Sequence, residues 1–287
     1  MLVQKMNGRP DPPAILSYLG LNDSAEEVVE LKNFLYVTGD LKNRGSGQPV
    51  FDPDVEQAVK HFQRRHGLMV DGIVGGETIQ EMNKPVEVYI NKVKANMNRL
   101  RILPYPMPEK YISVNLPEYR LHYFEQGREQ GTMKIIIGDL QNETPMLLDT
   151  LEYLVFSPKW YVPATIAREE LFPKILGDST YASERKFVVL KSGKEIPIDT
   201  LNKTDVEQHA PEYRIVQQPG PQNALGRIKF IFPNQRSIYL HDTPADYLFD
   251  QDRRHLSHGC VRVENPVELA RFVLNDPDKY PLDSIFP

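Results

Sequence analysis

The chain has 287 residues, 40% of them hydrophobic, with one cysteine and a formal net charge of −5 at pH 7. That length suits two domains, and the apolar content is sufficient for buried cores. The acidic balance argues against nucleic-acid binding, no apolar run is long enough to predict a membrane span, and a single cysteine cannot close an intrachain disulfide.

The N-terminal part of the chain is predicted to be a tail followed by helices. Residues 1–23 are rich in proline and lack periodicity, so we expect an N-terminal tail with little structure of its own. Helical spacing begins after Ser24, and a polar, glycine-rich break follows at 38–48. The apolar face of this first helix consists of Val28, Leu31 and Leu35.

A second helix has clear start and stop signals. Asp52 is a suitable N-cap, Pro53 occupies the first turn, and Gly67 is placed to end the helix. His61 and His66 are interpreted as surface residues of this helix rather than metal ligands, because no acidic or cysteine partner stands at ligand spacing.

Two stretches of this region read Ala-Val-Lys-His-Phe-Gln at 58–63 and Gly-Leu-Met-Val-Asp-Gly-Ile-Val-Gly-Gly-Glu-Thr at 67–78. Together they resemble the small three-helix peptidoglycan-binding module. The resemblance implies a non-enzymatic, peptidoglycan-binding domain over residues 24–84. A bundle kept only as a spacer is the alternative.

Residues 85–109 are predicted to form a linker helix and a proline-rich boundary. Pro85 opens the helix, and prolines at alternate positions from Pro104 to Pro108 stiffen the segment that follows it. We interpret the apolar stripe of this helix as a packing surface that joins two domains. The stripe consists of Val86, Ile90, Val93, Met97 and Leu100.

From residue 110 onward the pattern is typical of antiparallel strands. Alternating apolar residues mark strands near 112–114, 119–123, 132–137 and 151–156. Residues 168–209 are charged, poorly periodic and too long for an ordinary loop, so we interpret them as a lid.

Strands are predicted again after the lid, followed by a helix. Ile228, Phe230 and Phe232 alternate, and the segment 237–240 alternates like a half-buried strand that runs into His241. A helix capped by Asn265 is expected to anchor the last strand.

The only cysteine lies in the octapeptide His-Leu-Ser-His-Gly-Cys-Val-Arg at 255–262. A thiol is a weak nucleophile until a nearby cation lowers its pKa. His258 and Arg262 would share a face with Cys260 on a strand, and the amides around Gly259 and Cys260 could form an oxyanion hole. The alternative is a buried structural cysteine, although basic and hydroxyl residues crowd this stretch.

His241 is the candidate general base for this thiol. It is separated from Cys260 by 19 positions, enough for one loop to bring two strand ends side by side. Its second ring N–H needs an acceptor, for which the Asp242 carboxylate and a local backbone carbonyl are both candidates.

These residues resemble the active-site signature of the L,D-transpeptidases, the YkuD-type catalytic domain. The signature comprises His241, fifteen intervening residues, and Ser-His-Gly-Cys-Val-Arg-Val at 257–263. The resemblance implies that Cys260 is the acylated nucleophile, that His241 transfers the proton, and that His258 and Gly259 complete the catalytic group. It also implies substrate contacts by four further residues, namely Ser257, Arg262, Trp160 and Tyr239.

The resemblance also implies the reaction and its setting. Tetrapeptide stems of peptidoglycan would serve as donor and acceptor in 3→3 cross-linking with release of D-alanine. Carbapenems would be covalent inhibitors, and neither metal nor cofactor is required. The family acts in the periplasm or cell envelope, whereas no export signal stands at Met1.

Three alternatives remain open at this stage. The same site could act as an L,D-carboxypeptidase or other hydrolase if water reaches the thioester. A zinc peptidase could use four potential ligands, which are His241, His255, His258 and Cys260. The chain could also be a non-catalytic protein that binds the cell wall.

The predicted fold class is α+β, with a small three-helix module followed by a mostly β catalytic domain. The catalytic domain spans residues 110–287 and includes a capping insertion at 168–209. This arrangement is similar to the large YcbB-type enzymes of the family, which carry a further N-terminal region and an export signal.

Overall fold

The computed structural model describes residues 18–43, 47–276 and 278–281. The chain divides between Pro106 and Met107 into two compact units. Most of the predicted tail, residues 1–17, lies outside the described residues. The N-terminal unit is helical and the C-terminal unit is mostly β, as the sequence predicts for the fold class.

The N-terminal unit contains four helices in its described part. They are α1 (Glu26–Thr38), α2 (Pro53–His66), α3 (Gly76–Met82) and α4 (Val86–Leu100). The predicted start and end of α2 are confirmed. The Asp52 side chain accepts a hydrogen bond from the Val55 N–H at 3.0 Å, and Gly67 ends the helix with a φ of 67°. The buried core of this unit includes Phe34 of α1 and Phe62 of α2.

The prediction that both α2 histidines are surface residues is wrong for His66. Its ring lies 4.2 Å from the Phe62 ring centroid, and its Nδ1 lies 2.9 Å from Glu81 Oε1. Burial, together with the charge of Arg65, lowers the pKa of His66. The His61 side chain remains 56% exposed.

Helix α4 forms where proline and apolar spacing predict it, and the interpretation of its apolar stripe as a surface that joins two domains stays a prediction. None of its residues is buried, and Val93 and Met97 are each 53% exposed. Its described attachment to α3 is the Tyr89 hydroxyl, which donates to the Glu81 backbone carbonyl at 3.0 Å.

The C-terminal unit is built on a sheet of eight strands. Its order is β1-β2-β3-β12-β10-β9-β4, with β11 paired to β3 on a branch. The strands are β1 (Lys110–Asn115), β2 (Arg120–Glu125), β3 (Arg128–Gly138), β4 (Tyr153–Phe156), β9 (Ile228–Ile231), β10 (Leu240–His241), β11 (His255–Ser257) and β12 (Val261–Val263).

The segment predicted as a lid is part of a folded subdomain. A second sheet has the order β5-β8-β6-β7. Its strands are β5 (Trp160–Tyr161), β6 (Phe187–Lys191), β7 (Lys194–Ile196) and β8 (Tyr213–Gln217), and its helices are α5 (Ala164–Ile166), α6 (Phe172–Gly177), α7 (Ser179–Glu184) and α8 (Lys203–Gln208). Because β5 and β8 lie outside residues 168–209, we call residues 160–217 the inserted subdomain.

The strand predicted at 237–240 is much shorter in the structure. Only Leu240 and His241 pair with neighbouring strands, and Ser237 has a φ of 55°. The Asn234 side chain accepts from the Ile238 N–H at 3.0 Å and donates to the Ile238 carbonyl at 2.7 Å. These bonds hold residues 234–238 in a turn, which competes with strand pairing.

One face of the main sheet packs on the last helix. Phe230, Leu240 and Val261, on three neighbouring strands, belong to one core with Leu269. Leu269 lies in α9 (Pro266–Leu274), the helix expected to anchor the last strand. Since side chains alternate across a sheet, the residues next to these three must point to the opposite face.

Candidate active site

His241 lies at the centre of a row of side chains on that opposite face. In register, His241 is paired with Lys229 on β9 and with Arg262 on β12. Directly paired residues of adjacent strands share a face. The imidazole therefore lies between two basic side chains, one on each neighbouring strand.

A backbone carbonyl orients the His241 ring. His241 Nδ1 lies 2.5 Å from the Asp242 carbonyl oxygen, and His241 is 5% exposed. Because a carbonyl can only accept, Nδ1 carries the proton and the neutral ring keeps Nε2 as an acceptor. Of the two orienting groups that the sequence left open, the carbonyl of Asp242 is the one used.

The Asp242 carboxylate instead holds its own strand end in place. It accepts from the Arg227 N–H at 2.7 Å and from the Thr243 N–H at 2.8 Å. Gly226 packs against it with φ +59°, and a Cβ at this position would lie 2.4 Å from Asp242 Cγ. Only glycine therefore permits the approach that positions the carbonyl bonded to His241.

Cys260 lies in a tight turn rather than on a strand. The turn joins β11 to β12, and Gly259 has a φ of +109°. The prediction that His258 and Cys260 share a strand face is therefore wrong. The His258 ring is paired instead with the inserted subdomain, since its Nε2 lies 2.7 Å from Glu170 Oε1.

The Ser257 side chain stabilises this turn through two hydrogen bonds to its backbone. Its hydroxyl donates to the Cys260 carbonyl at 2.6 Å and accepts from the Gly259 N–H at 3.2 Å, and Ser257 is only 3% exposed. The substrate contact predicted for Ser257 is thus replaced by a structural role. Thr144, which the sequence did not single out, donates to the Gly259 carbonyl at 2.7 Å.

The hydrogen bonds of Ser257 determine which backbone N–H groups of the turn remain free to bind a substrate. The Gly259 N–H is already bonded to Ser257, so it does not supply the oxyanion donor expected of it. Among the described residues, the Cys260 N–H has no hydrogen-bond acceptor. The Cys260 amide is therefore a donor that this turn leaves available.

The Cys260 thiol is protonated at rest. Burial raises its pKa, while hydrogen bonds from Tyr239 and the charges of Lys229 and Arg262 oppose that rise. Its sulfur lies 3.8 Å from the Ser237 carbonyl, which is its acceptor in this structure. The cations near the thiol are thus Lys229 and Arg262, not the His258 predicted from sequence.

Tyr239 connects the nucleophile, the base and the inserted subdomain. Its ring centroid lies 5.5 Å from that of His241. Its hydroxyl forms hydrogen-bonding contacts with Cys260 and Trp160, and burial raises the pKa of that hydroxyl. The predicted contacts Trp160 and Tyr239 therefore lie beside the thiol.

The pKa of His241 is lowered to about 3, by burial first and then by the charges of Arg262 and Lys229. The imidazole is therefore neutral at physiological pH. Together with the protonated thiol, this defines a resting pair of two neutral groups rather than a preformed ion pair.

Lys229 is the main residue that the sequence did not reveal. Its ammonium lies 3.7 Å from the Tyr239 ring centroid. The available signal was a lysine between the buried residues Ile228 and Phe230, which puts it on the second face of the strand. Its position beside His241 depends on strand register, which a linear pattern does not give.

The ligands required by the zinc alternative do not converge. His258 is paired with Glu170, and His255 Nδ1 lies 3.0 Å from the Tyr119 hydroxyl. Across the described ranges, no three His, Cys, Asp or Glu side chains form a group that could hold a metal ion. The arrangement fits thiol chemistry better than metal-assisted hydrolysis.

A cysteine turn leads into the strand paired with the one that carries an oriented imidazole, which is an arrangement compatible with thiol acyl transfer. Residues 109–279 match the YkuD family, described as "L,D-transpeptidase catalytic domain". Residues 24–82 match a family described as "Putative peptidoglycan binding domain". Because the first match spans more than half of the chain, the chain belongs to the L,D-transpeptidase (YkuD) family.

Known proteins with similarity include a curated relative from Haemophilus influenzae named "Putative L,D-transpeptidase". It is 34% identical over 186 residues, which cover 64% of this chain and 37% of the relative. A Mycobacterium smegmatis L,D-transpeptidase structure is 12% identical with a TM-score of 0.27, covering 58% of this chain and 55% of its own. An L,D-transpeptidase structure from Xylanimonas cellulosilytica is 16% identical with a TM-score of 0.24, covering 93% of this chain and 94% of its own.

The resting protonation state predicts how Cys260 reacts with iodoacetamide as pH changes. Below the raised thiol pKa, the thiolate fraction should increase about tenfold per pH unit. The alkylation rate, followed by intact mass spectrometry, should therefore rise steeply from pH 6 to pH 8. Tyr239→Phe removes a hydrogen bond to the thiolate and should move the profile to higher pH.

A rate that is constant from pH 6 to pH 8 would instead show a thiolate that is already formed, and would contradict this description of the site.

Proposed function

We propose that the chain is a cysteine acyl transferase that forms 3→3 cross-links between tetrapeptide stems of peptidoglycan and releases D-alanine. The observation that carries the proposal is the His241 Nδ1 bond to the Asp242 carbonyl, which leaves Nε2 as a proton acceptor on the strand beside the Cys260 turn. Family membership supports the choice of peptidoglycan stems.

The first half of the reaction acylates the cysteine. His241 Nε2 takes the proton from Cys260 Sγ, and the thiolate attacks the carbonyl carbon between the L-centre of diaminopimelate and the terminal D-alanine. In this proposal the Cys260 N–H stabilises the oxyanion, and one such donor typically contributes about 3 to 4 kcal/mol.

The second half releases one amine and admits another. As the C–N bond breaks, the His241 imidazolium gives its proton to the departing D-alanine nitrogen, which leaves a Cys260 thioester. The side-chain amine of a second stem attacks this thioester and loses its proton to His241. The C–S bond then breaks as the amide cross-link forms, and His241 returns the proton to Cys260 Sγ. Water in place of that amine would give the hydrolysed tripeptide.

The inserted subdomain is proposed to cap the site. Two of its residues contact the catalytic residues, since Trp160 meets the Tyr239 hydroxyl and Glu170 is paired with His258. A cap at this position would limit access of water to the thioester and so favour the amine.

The N-terminal unit is proposed to bind peptidoglycan and hold the enzyme on its polymeric substrate. This setting is the cell envelope, the periplasm in particular, where such an enzyme would contribute to wall synthesis and cell shape. Carbapenems are proposed as covalent inhibitors that acylate Cys260. None of the described helices is long and apolar enough to cross a membrane.

Substitutions at the three motif side chains should separate their roles. Cys260→Ala should abolish both cross-linking and carbapenem adducts. His241→Gln should slow acylation by roughly 10²- to 10⁴-fold, as expected for loss of a general base. His258→Gln should have a much smaller effect, because His258 is paired with Glu170.

Acylation is measured by intact mass spectrometry with a carbapenem, and cross-links by chromatography of tetrapeptide products. Cross-linking by the Cys260→Ala protein would overturn the cysteine mechanism. A severe loss in His258→Gln with an active His241→Gln would reverse the assignment of the base.

Removal of the N-terminal unit should separate binding from chemistry. A protein that begins at Met107 keeps every strand of both sheets, so carbapenem acylation of Cys260 should be preserved. Its retention on isolated peptidoglycan sacculi, measured by co-sedimentation, should be weaker than that of the full chain. Equal retention would show that the N-terminal unit acts only as a spacer.

A further inference from the structure

Two basic side chains flank the base, and in the described part of the chain neither is paired with a carboxylate. Lys229 and Arg262 are the in-register partners of His241 on either side. The charge that acts on Lys229 is that of Cys260, and those that act on Arg262 are Cys260 and Tyr247. Among the described residues, neither cation forms an ion pair with a carboxylate.

Both cations are also partly withdrawn from water. Arg262 Nε is fully buried without a hydrogen-bond partner in the described part of the chain. The Lys229 ammonium lies on the face of the Tyr239 ring, 3.7 Å from its centroid. A buried, unpaired cation is destabilising, and a bound anion with hydrogen-bond acceptors offsets that cost.

We propose that Lys229 and Arg262 form a carboxylate-binding site beside His241, and that a free carboxylate of the peptide stem occupies it during acylation. This inference rests on the proposed function for the identity of the ligand. The sequence predicts a substrate contact for Arg262, and the residue newly assigned to substrate binding is Lys229. A carboxylate suits the pair because Arg offers a planar fork of donors and Lys a point charge.

Binding of this carboxylate would also assist proton transfer. When His241 takes the proton from Cys260, the new imidazolium lies between two positive charges, which disfavours it. A bound carboxylate adds a negative charge to the same row, so the imidazolium becomes less costly. A substrate without the carboxylate would therefore bind more weakly and acylate Cys260 more slowly.

A second explanation is that the two cations serve only the Cys260 thiolate. Iodoacetate and iodoacetamide distinguish the two explanations, because both alkylate the sulfur with loss of iodide and only the first carries a carboxylate. A cation that only stabilises the thiolate changes both rates equally. A carboxylate-binding site changes their ratio.

The measured quantity is the ratio of the iodoacetate rate to the iodoacetamide rate at low ionic strength, normalised to the same ratio for a small free thiol. We expect a ratio above one for the native protein and a roughly three- to tenfold lower ratio for Lys229→Met. Lys229→Arg should stay within about twofold of the native ratio, since it keeps the charge.

The matched control is Lys203→Met, which removes the same charge from a side chain that is 77% exposed in the inserted subdomain. Its ratio should equal the native one. An unchanged ratio in Lys229→Met, or an equal loss of both rates, would overturn the carboxylate site. Because alkylation requires no peptide, these outcomes do not depend on whether the chain is a transpeptidase.

Binding measurements then identify which carboxylate is bound. The Cys260→Ala protein is titrated by calorimetry with a tetrapeptide, with its diaminopimelate monoamide and with its D-alanine amide. The carboxylate that meets Lys229 is the one whose amidation weakens binding in Cys260→Ala but not in Cys260→Ala/Lys229→Met. Unchanged affinity for both amides would overturn the proposal.

Discussion

The site depends on one backbone hydrogen bond, from His241 Nδ1 to the Asp242 carbonyl. That bond decides which ring nitrogen carries the proton and therefore which one keeps a lone pair that can accept a proton. It requires a fixed strand end, which the Asp242 carboxylate secures through the Arg227 and Thr243 amides. Gly226 allows the chain to approach closely enough for these contacts. Tautomer and ring orientation are thus set by the backbone, without a separate acidic residue.

The electrostatics of the site follow from its burial. Charge is disfavoured on both reacting groups, because burial lowers the pKa of His241 to about 3 and raises that of the Cys260 thiol. The permanent charges belong instead to Lys229 and Arg262. The thiol is therefore protonated before substrate binds, and in the proposed mechanism it ionises only when His241 takes its proton. This explains how a thiol can be kept protonated, and so less reactive, until a substrate arrives.

Local signals in the sequence predicted local structure well, whereas long-range pairing was not accessible. The cap at Asp52 and the stop at Gly67 define a helix through neighbouring residues alone, and the structure confirms them. The alternation at 237–240 predicted a strand, but the side-chain bonds of Asn234 made a turn. The inserted subdomain pairs β5 with β8 across more than fifty residues. Lys229 was missed for the same reason, since only strand register brings it beside His241.

The most direct test of this account is the protonation state of His241, measured by ¹⁵N NMR of histidine-labelled protein with His241→Gln for assignment. We expect a neutral ring from pH 5 to pH 8, with Nδ1 protonated and Nε2 carrying a lone pair, because burial lowers the pKa of His241 to about 3. A ring that is protonated at pH 7, or neutral with the proton on Nε2, would contradict the account.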